Sequence, residues 1–130
     1  MAFNDQSIYK SFIAGGSITA FQLVKLNNAG KVVVCTASTD VPVGVSQLSV
    51  SSGEVTNVCI LGLTRVIAGE AITAGTDYFV MPGLAGKVYA YASGGAGVQI
   101  AAGRYLANDV NTAGADGEQI EILFSPCLGV

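Results

Sequence analysis

Residues 17–36 read SITAFQLVKLNNAGKVVVCT, and residues 71–92 read AITAGTDYFVMPGLAGKVYAYA. Ile18-Thr19-Ala20 returns as Ile72-Thr73-Ala74, and Ala29-Gly30-Lys31-Val32 returns as Ala85-Gly86-Lys87-Val88, with a slightly longer spacer in the second copy. Phe21–Leu26 and Lys31–Thr36 have strand length and are rich in Val and Leu. Asn27-Asn28-Ala29-Gly30 between them supplies turn residues that tolerate positive φ. The stretch therefore predicts a β-hairpin, used twice. Val32 and Val34 point to one face of its second strand, Val33 and Cys35 to the other. Both faces are apolar, so this strand is expected to be covered on both sides.

The remaining segments extend the repeat. Val43–Leu48, Glu54–Leu61 and Leu63–Ile67 read as strands, separated by the Ser49–Gly53 loop and by Gly62. After the second hairpin, Ser93–Gly97 reads as a loop and Asn108–Gly117 as a long turn. Gln119–Phe124 alternates, with Ile120, Ile122 and Phe124 on one face. Gly117-Glu118 matches Gly53-Glu54, and Ile122-Leu123 falls where Val58-Cys59 does. Each half thus reads as hairpin, connecting strand, Gly-Glu turn, strand. The expected fold is all-β, a small barrel or sandwich built from an internally duplicated hairpin unit, with an extended N-terminal arm. The expected boundaries are an arm at 1–16 and one β domain at 17–130, with halves at about 17–68 and 71–124.

Composition narrows the function. The chain has 130 residues, enough for one domain with a real core. Only 12% of residues are charged, against about 25% in an average domain. So little charge implies that part of the surface faces another protein. The six basic residues are scattered and the net charge is −3, which excludes the clustered cations that nucleic-acid binding requires. No apolar run approaches the ~20 residues of a membrane span, and no secretory leader is visible in 1–13. These features predict a soluble protein made in the cytoplasm.

Catalytic equipment is absent from the sequence pattern. With no His, neither a Ser nor a Cys nucleophile has its usual base, and an ordinary zinc site cannot be assembled. Cys35, Cys59 and Cys127 form no CxxC pair and read as small buried thiols. Lys31 and Lys87 follow turns and read as solvated positions, not as the modified lysine of a lipoyl-type carrier domain. Glu118 and Glu121 have opposite strand parity. Asn108, Asn111 and Asp116 match no calcium loop. The expectation is no enzyme, no metal and no cofactor. Tyr89 and Tyr91 share one strand face and leave open a sugar-stacking platform, so a carbohydrate-binding β-module is the alternative reading.

Residues 1–16 stand apart in pattern from the rest of the chain. Phe3, Ile8, Tyr9, Phe12 and Ile13 are large apolar residues among polar ones, ending at Gly15-Gly16. Ile8 and Phe12 could share a helical face; an edge strand or a frayed terminus is equally consistent. On an arm these five side chains are the candidate partner contacts.

Several motifs in order carry a resemblance: the repeated ITA…AGKV pattern, Pro42-Val43-Gly44-Val45, Gly53-Glu54 before Val58-Cys59-Ile60-Leu61-Gly62, and Ile67-Ala68-Gly69-Glu70-Ala71-Ile72-Thr73-Ala74-Gly75. Over residues 15–124 the chain resembles the small capsid decoration, or cement, proteins of tailed bacteriophages. The second half carries Ala102-Gly103-Arg104-Tyr105 where the first carries the Pro42–Val45 step. The resemblance implies a β-rich virion protein that docks on the outer capsid surface, contacts the major capsid protein and itself as a homotrimer, and stabilises the shell. It also implies an arm, 2–16 here, that reaches across neighbouring subunits.

Overall fold

A computed structural model describes residues 7–73, 79–90, 100–106, 113–114 and 116–128. Its strands are β1 (Ile8–Ile13), β2 (Leu23–Leu26), β3 (Val32–Val34), β4 (Gly44–Ser46), β5 (Val55–Ile67), β6 (Ile72–Thr73), β7 (Phe79–Pro82), β8 (Val88–Ala90), β9 (Ile100–Leu106), β10 (Ala113–Gly114) and β11 (Gln119–Leu128). The expected all-β class holds. Among the described residues there is no α-helix, only a 3-10 turn at Leu84–Gly86. The main sheet is antiparallel and curls into a half-barrel, in the order β3-β2-β4-β5-β11-β9-β7-β8, with β1 also on β5. β6 and β10 form a separate pair.

The two predicted hairpins are β2–β3 and β7–β8. In the first turn Gly30 takes φ +77, and the Asn27 side-chain oxygen accepts from the N–H groups of Ala29 and Lys31. In the second, the longer spacer becomes the 3-10 turn, with Ala85 and Gly86 at positive φ.

Glu54–Leu61 and Leu63–Ile67 are not separate strands. They form one strand, β5, 13 residues long. It is not straight. The Gln47 N–H donates to the Asn57 carbonyl at 2.7 Å, while the side-chain amide of Gln47 reaches Thr64 Oγ1 at 2.9 Å. A straight strand would hold Asn57 and Thr64 about 23 Å apart, far beyond the reach of one glutamine. The strand turns at Gly62, whose φ of +117 is open to glycine and strained for other residues. The turn also exchanges faces. Val58 and Val66 have the same parity, yet they lie in different apolar clusters.

Away from the hairpin turns, the two halves share a set of backbone bonds among the described residues. Ala14 N–H donates to the Glu54 carbonyl and Gly53 N–H to the Ala14 carbonyl; Ala68 and Glu118, then Gly117 and Ala68, do the same, all at 2.8 Å. Ala14 bridges Val32 as Ala68 bridges Val88. Ile13 opposite Val55 on β1–β5 corresponds to Ile67 opposite Gln119 on β5–β11. Val24 opposite Gly44 corresponds to Val80 opposite Gly103. Ala102-Gly103-Arg104-Tyr105 is therefore the structural counterpart of Val43-Gly44-Val45-Ser46, despite the different sequence. By the same correspondence, β1 stands to the first half as the end of β5 stands to the second.

The larger core lies between the halves. Leu23, Cys35 and Val45 from the first half pack with Val66 and Ala68, at the end of β5 that pairs with β11 and so goes structurally with the second half, and with Ile72, Val80, Val88, Ala102, Ile120, Ile122 and Phe124. A smaller cluster, with Val24, Val32 and Val58 at its centre, covers the opposite face of the first half. That arrangement accounts for the two apolar faces of Val32–Cys35, since each face meets a different cluster.

Candidate interaction surface

Of the five candidate contacts, Phe3 lies outside the described residues. The other four are on β1, hydrogen-bonded along β5. The segment is extended, so Ile8 and Phe12 do not share a helical face. Tyr9 and Ile13 lie on one face of the strand and Phe12 on the other. Ile8, Tyr9 and Ile13 are exposed. Ile13 stands opposite Val55, which is also exposed, so the pair forms an apolar spot on the surface. Phe12 is half-buried against the smaller cluster, with the Lys10 ammonium 5.6 Å from its ring centroid. Ser7 Oγ donates to the Leu63 carbonyl at 2.8 Å and ties the start of the strand to the bend in β5.

A second apolar surface lies on the outer face of the second half. Leu63 on β5 stands opposite Leu123 on β11; Leu123 stands opposite Arg104 on β9, and Arg104 opposite Phe79 on β7. Leu63, Leu123 and Phe79 are all exposed. The alternation of Gln119–Phe124 does turn Leu123 away from the buried face. Nothing local in the sequence brings Leu63 and Phe79 into the same row, because their strands are paired only in the tertiary structure.

Polar groups near these surfaces serve the scaffold. Asp40 accepts from the N–H groups of Thr36 and Ala37 and from the Lys25 ammonium, at 2.8, 3.1 and 2.9 Å. Partial burial favours its neutral form, but these donors outweigh it and hold the carboxyl below the usual carboxylate range. Burial pushes the Cys35 thiol up to about 12 and also raises that of Cys59, so neither offers a reactive thiolate. The Cys127 side chain lies outside the described part. Lys87 pairs with Asp116 at 2.8 Å, which raises the lysine. Ser46 and Thr56 satisfy one another inside the sheet at 2.6 Å. Among the described residues no three His, Cys, Asp or Glu side chains gather as metal ligands.

A shallow apolar hollow of about 310 Å³ lies between Thr36-Ala37-Ser38 and the second hairpin, bounded by Met81 to Leu84 and Tyr89. Tyr89 is half-buried, its ring lying over Gly69 and Gly83 in space that a Cβ at either glycine would occupy. It is packed as part of the scaffold. Tyr91 lies outside the described residues.

These features define a class: a duplicated antiparallel β scaffold whose notable surface is apolar and spread over strands. In fold, the chain is similar to the crystal structure of the head fiber gp8.5 N base in bacteriophage phi29, with a TM-score of 0.63 over 92% of this chain and 95% of that one, at 17% identity. No family profile matches the chain. No curated protein matches it.

Proposed function

We propose that this chain is a structural virion protein of a tailed bacteriophage, seated on the outer surface of the head and stabilising the shell. The observation that carries the reading is the likeness to a phage head fiber base over nearly the full length of both chains. The resemblance of the ordered motifs to those of capsid decoration proteins supports the same reading from the sequence. The role is binding rather than catalysis, with the major capsid protein and further copies of the chain, as a homotrimer, for partners. Binding strength comes from apolar burial over a broad face. The exposed residues Ile8, Tyr9 and Ile13 on β1 are the proposed shell contacts, with Phe3 ahead of them.

Purified protein mixed with expanded shells of the phage that encodes it, made without this gene product, should co-sediment with them to saturation. Ile13→Glu, at an exposed position, should keep the native circular dichroism spectrum and weaken that binding at least about tenfold, the effect of ~1.4 kcal/mol. Absence of saturable binding by the native protein would sink the reading. Unchanged binding by Ile13→Glu would remove β1 from the contact.

A further inference from the structure

The two halves are related by more than sequence: one packs on the other in a fixed sense. The row Tyr9, Cys59, Val45, Leu23 crosses the first half, and Leu63, Leu123, Arg104, Phe79 crosses the second at matching register positions. In the first half Leu23 and Val45 of this row pack in the core shared with the second half. They and Cys59 are 0% exposed, whereas Tyr9 at the end of the row is 44% exposed. In the second half the same face is left uncovered by the described residues, and Phe79, Leu63 and Leu123 are 51%, 40% and 39% exposed.

The opposite faces show the complementary difference. Val66, Ala102 and Phe124 of the second half are fully buried in the joint with the first. Their counterparts Phe12, Val43 and Ile60 are only partly buried. The molecule therefore has two unlike, largely apolar ends. Each occupies the register of one side of a joint that the chain already makes internally, with Arg104 on one of them where that joint has Val45. Stacked repeats with no polar cap present this arrangement.

We infer that copies of this chain associate head to tail, the Leu63–Leu123–Phe79 face of one seated on the Phe12–Val43–Ile60 face of the next. The occupant is a second copy because the partner surface that fits this face is already present in the chain and already seated on its equivalent. Such a contact is heterologous: each copy uses a different patch, and a ring forms where the rotation closes. It rests on the proposed function in one respect, supplying the self-contact of the homotrimer. It is tested without shells, so its failure is distinct from failure of the capsid reading.

Two variants, each blocking one end, make the test. Phe79→Glu with Leu123→Glu blocks one face, and Ile60→Glu blocks the other. Each should keep the native circular dichroism spectrum; if Ile60→Glu does not, Val43→Glu on the same face replaces it. By light scattering after size exclusion, the unaltered protein should be larger than a monomer and each variant alone monomeric. Mixing the two variants should give a one-to-one complex, because each retains the end that the other lacks. The inference is overturned if the unaltered protein stays monomeric at its highest soluble concentration, or if either variant alone assembles as it does. A mixture that remains monomeric also overturns it. Loss of shell binding by Phe79→Glu with Leu123→Glu, from an unaltered protein that is monomeric, assigns that face to the capsid instead.

Discussion

Asp40 shows how one side chain can hold a connection that has no regular structure. The chain leaves β3 at Val34 and returns at Gly44. Between these points the carboxylate gathers two backbone N–H groups and the Lys25 ammonium. Removing it leaves the donors without their acceptor, so Asp40→Ala should cost about 2 kcal/mol by urea titration. Asp40→Asn isolates the charge. The folded carboxyl titrates below its unfolded value of about 3.9, so its contribution is complete above that pH and disappears as pH falls through the folded value. The difference in urea midpoint between the native protein and Asp40→Asn should be constant from neutral pH to about 5 and shrink below about 4. A difference that does not change with pH would assign the role of Asp40 to packing. The Asp-Val-Pro segment is legible as a break in the strands. The partners of Asp40 are not, since Lys25 belongs to the neighbouring strand.

At the scale of elements, two glycines permit the sheet to close up at matching places. A Cβ at Gly44 would run into the Cys59 carbonyl, and one at Gly103 into the Leu123 carbonyl. In both cases the strand lies against the backbone of its partner, which cannot give way as a flexible side chain would. Gly44→Ala and Gly103→Ala should each destabilise the fold by about 1–3 kcal/mol, whereas Gly53→Ala meets open space and suffers only from its positive φ of +90. Similar losses at positions 44 and 103 in thermal denaturation would support their equivalence; a neutral Gly103→Ala would refute it. The hairpins are readable in the sequence because their turn residues and alternation are local. The continuity of β5 is not, because Gly62 ends a strand as readily as it bends one. The match of Ile13-Ala14-Gly15 to Ile67-Ala68-Gly69 is present in the sequence. It gains meaning only when Ala14 and Ala68 are seen to make the same bonds.

For the molecule as a whole, the larger core draws on both halves, and β5 runs through both. Neither half can bury its share of that core alone. Residues 62–130 expressed without 1–61 would expose the positions that meet Leu23, Cys35 and Val45, and should show no cooperative thermal transition. The full chain should unfold in one step, with tyrosine fluorescence and circular dichroism giving coincident curves. Two separate transitions would mean that the halves are independently stable.

Alternation, turn chemistry and the twice-used hairpin determine an all-β chain with two similar halves, and the amino-acid sequence is sufficient for that. These signals act between neighbours along the chain, and so they survive without a structure. Only the tertiary structure decides that β5 bends, that β1 runs along it, and that one half seats on the other. It also decides the surface. Leu23 and Phe79 hold equivalent places in equivalent strands, and one is buried while the other is exposed. Their local sequence does not set that difference. Burial depends on what the rest of the chain brings alongside: the second half covers Leu23, and no described element covers Phe79 in the same way.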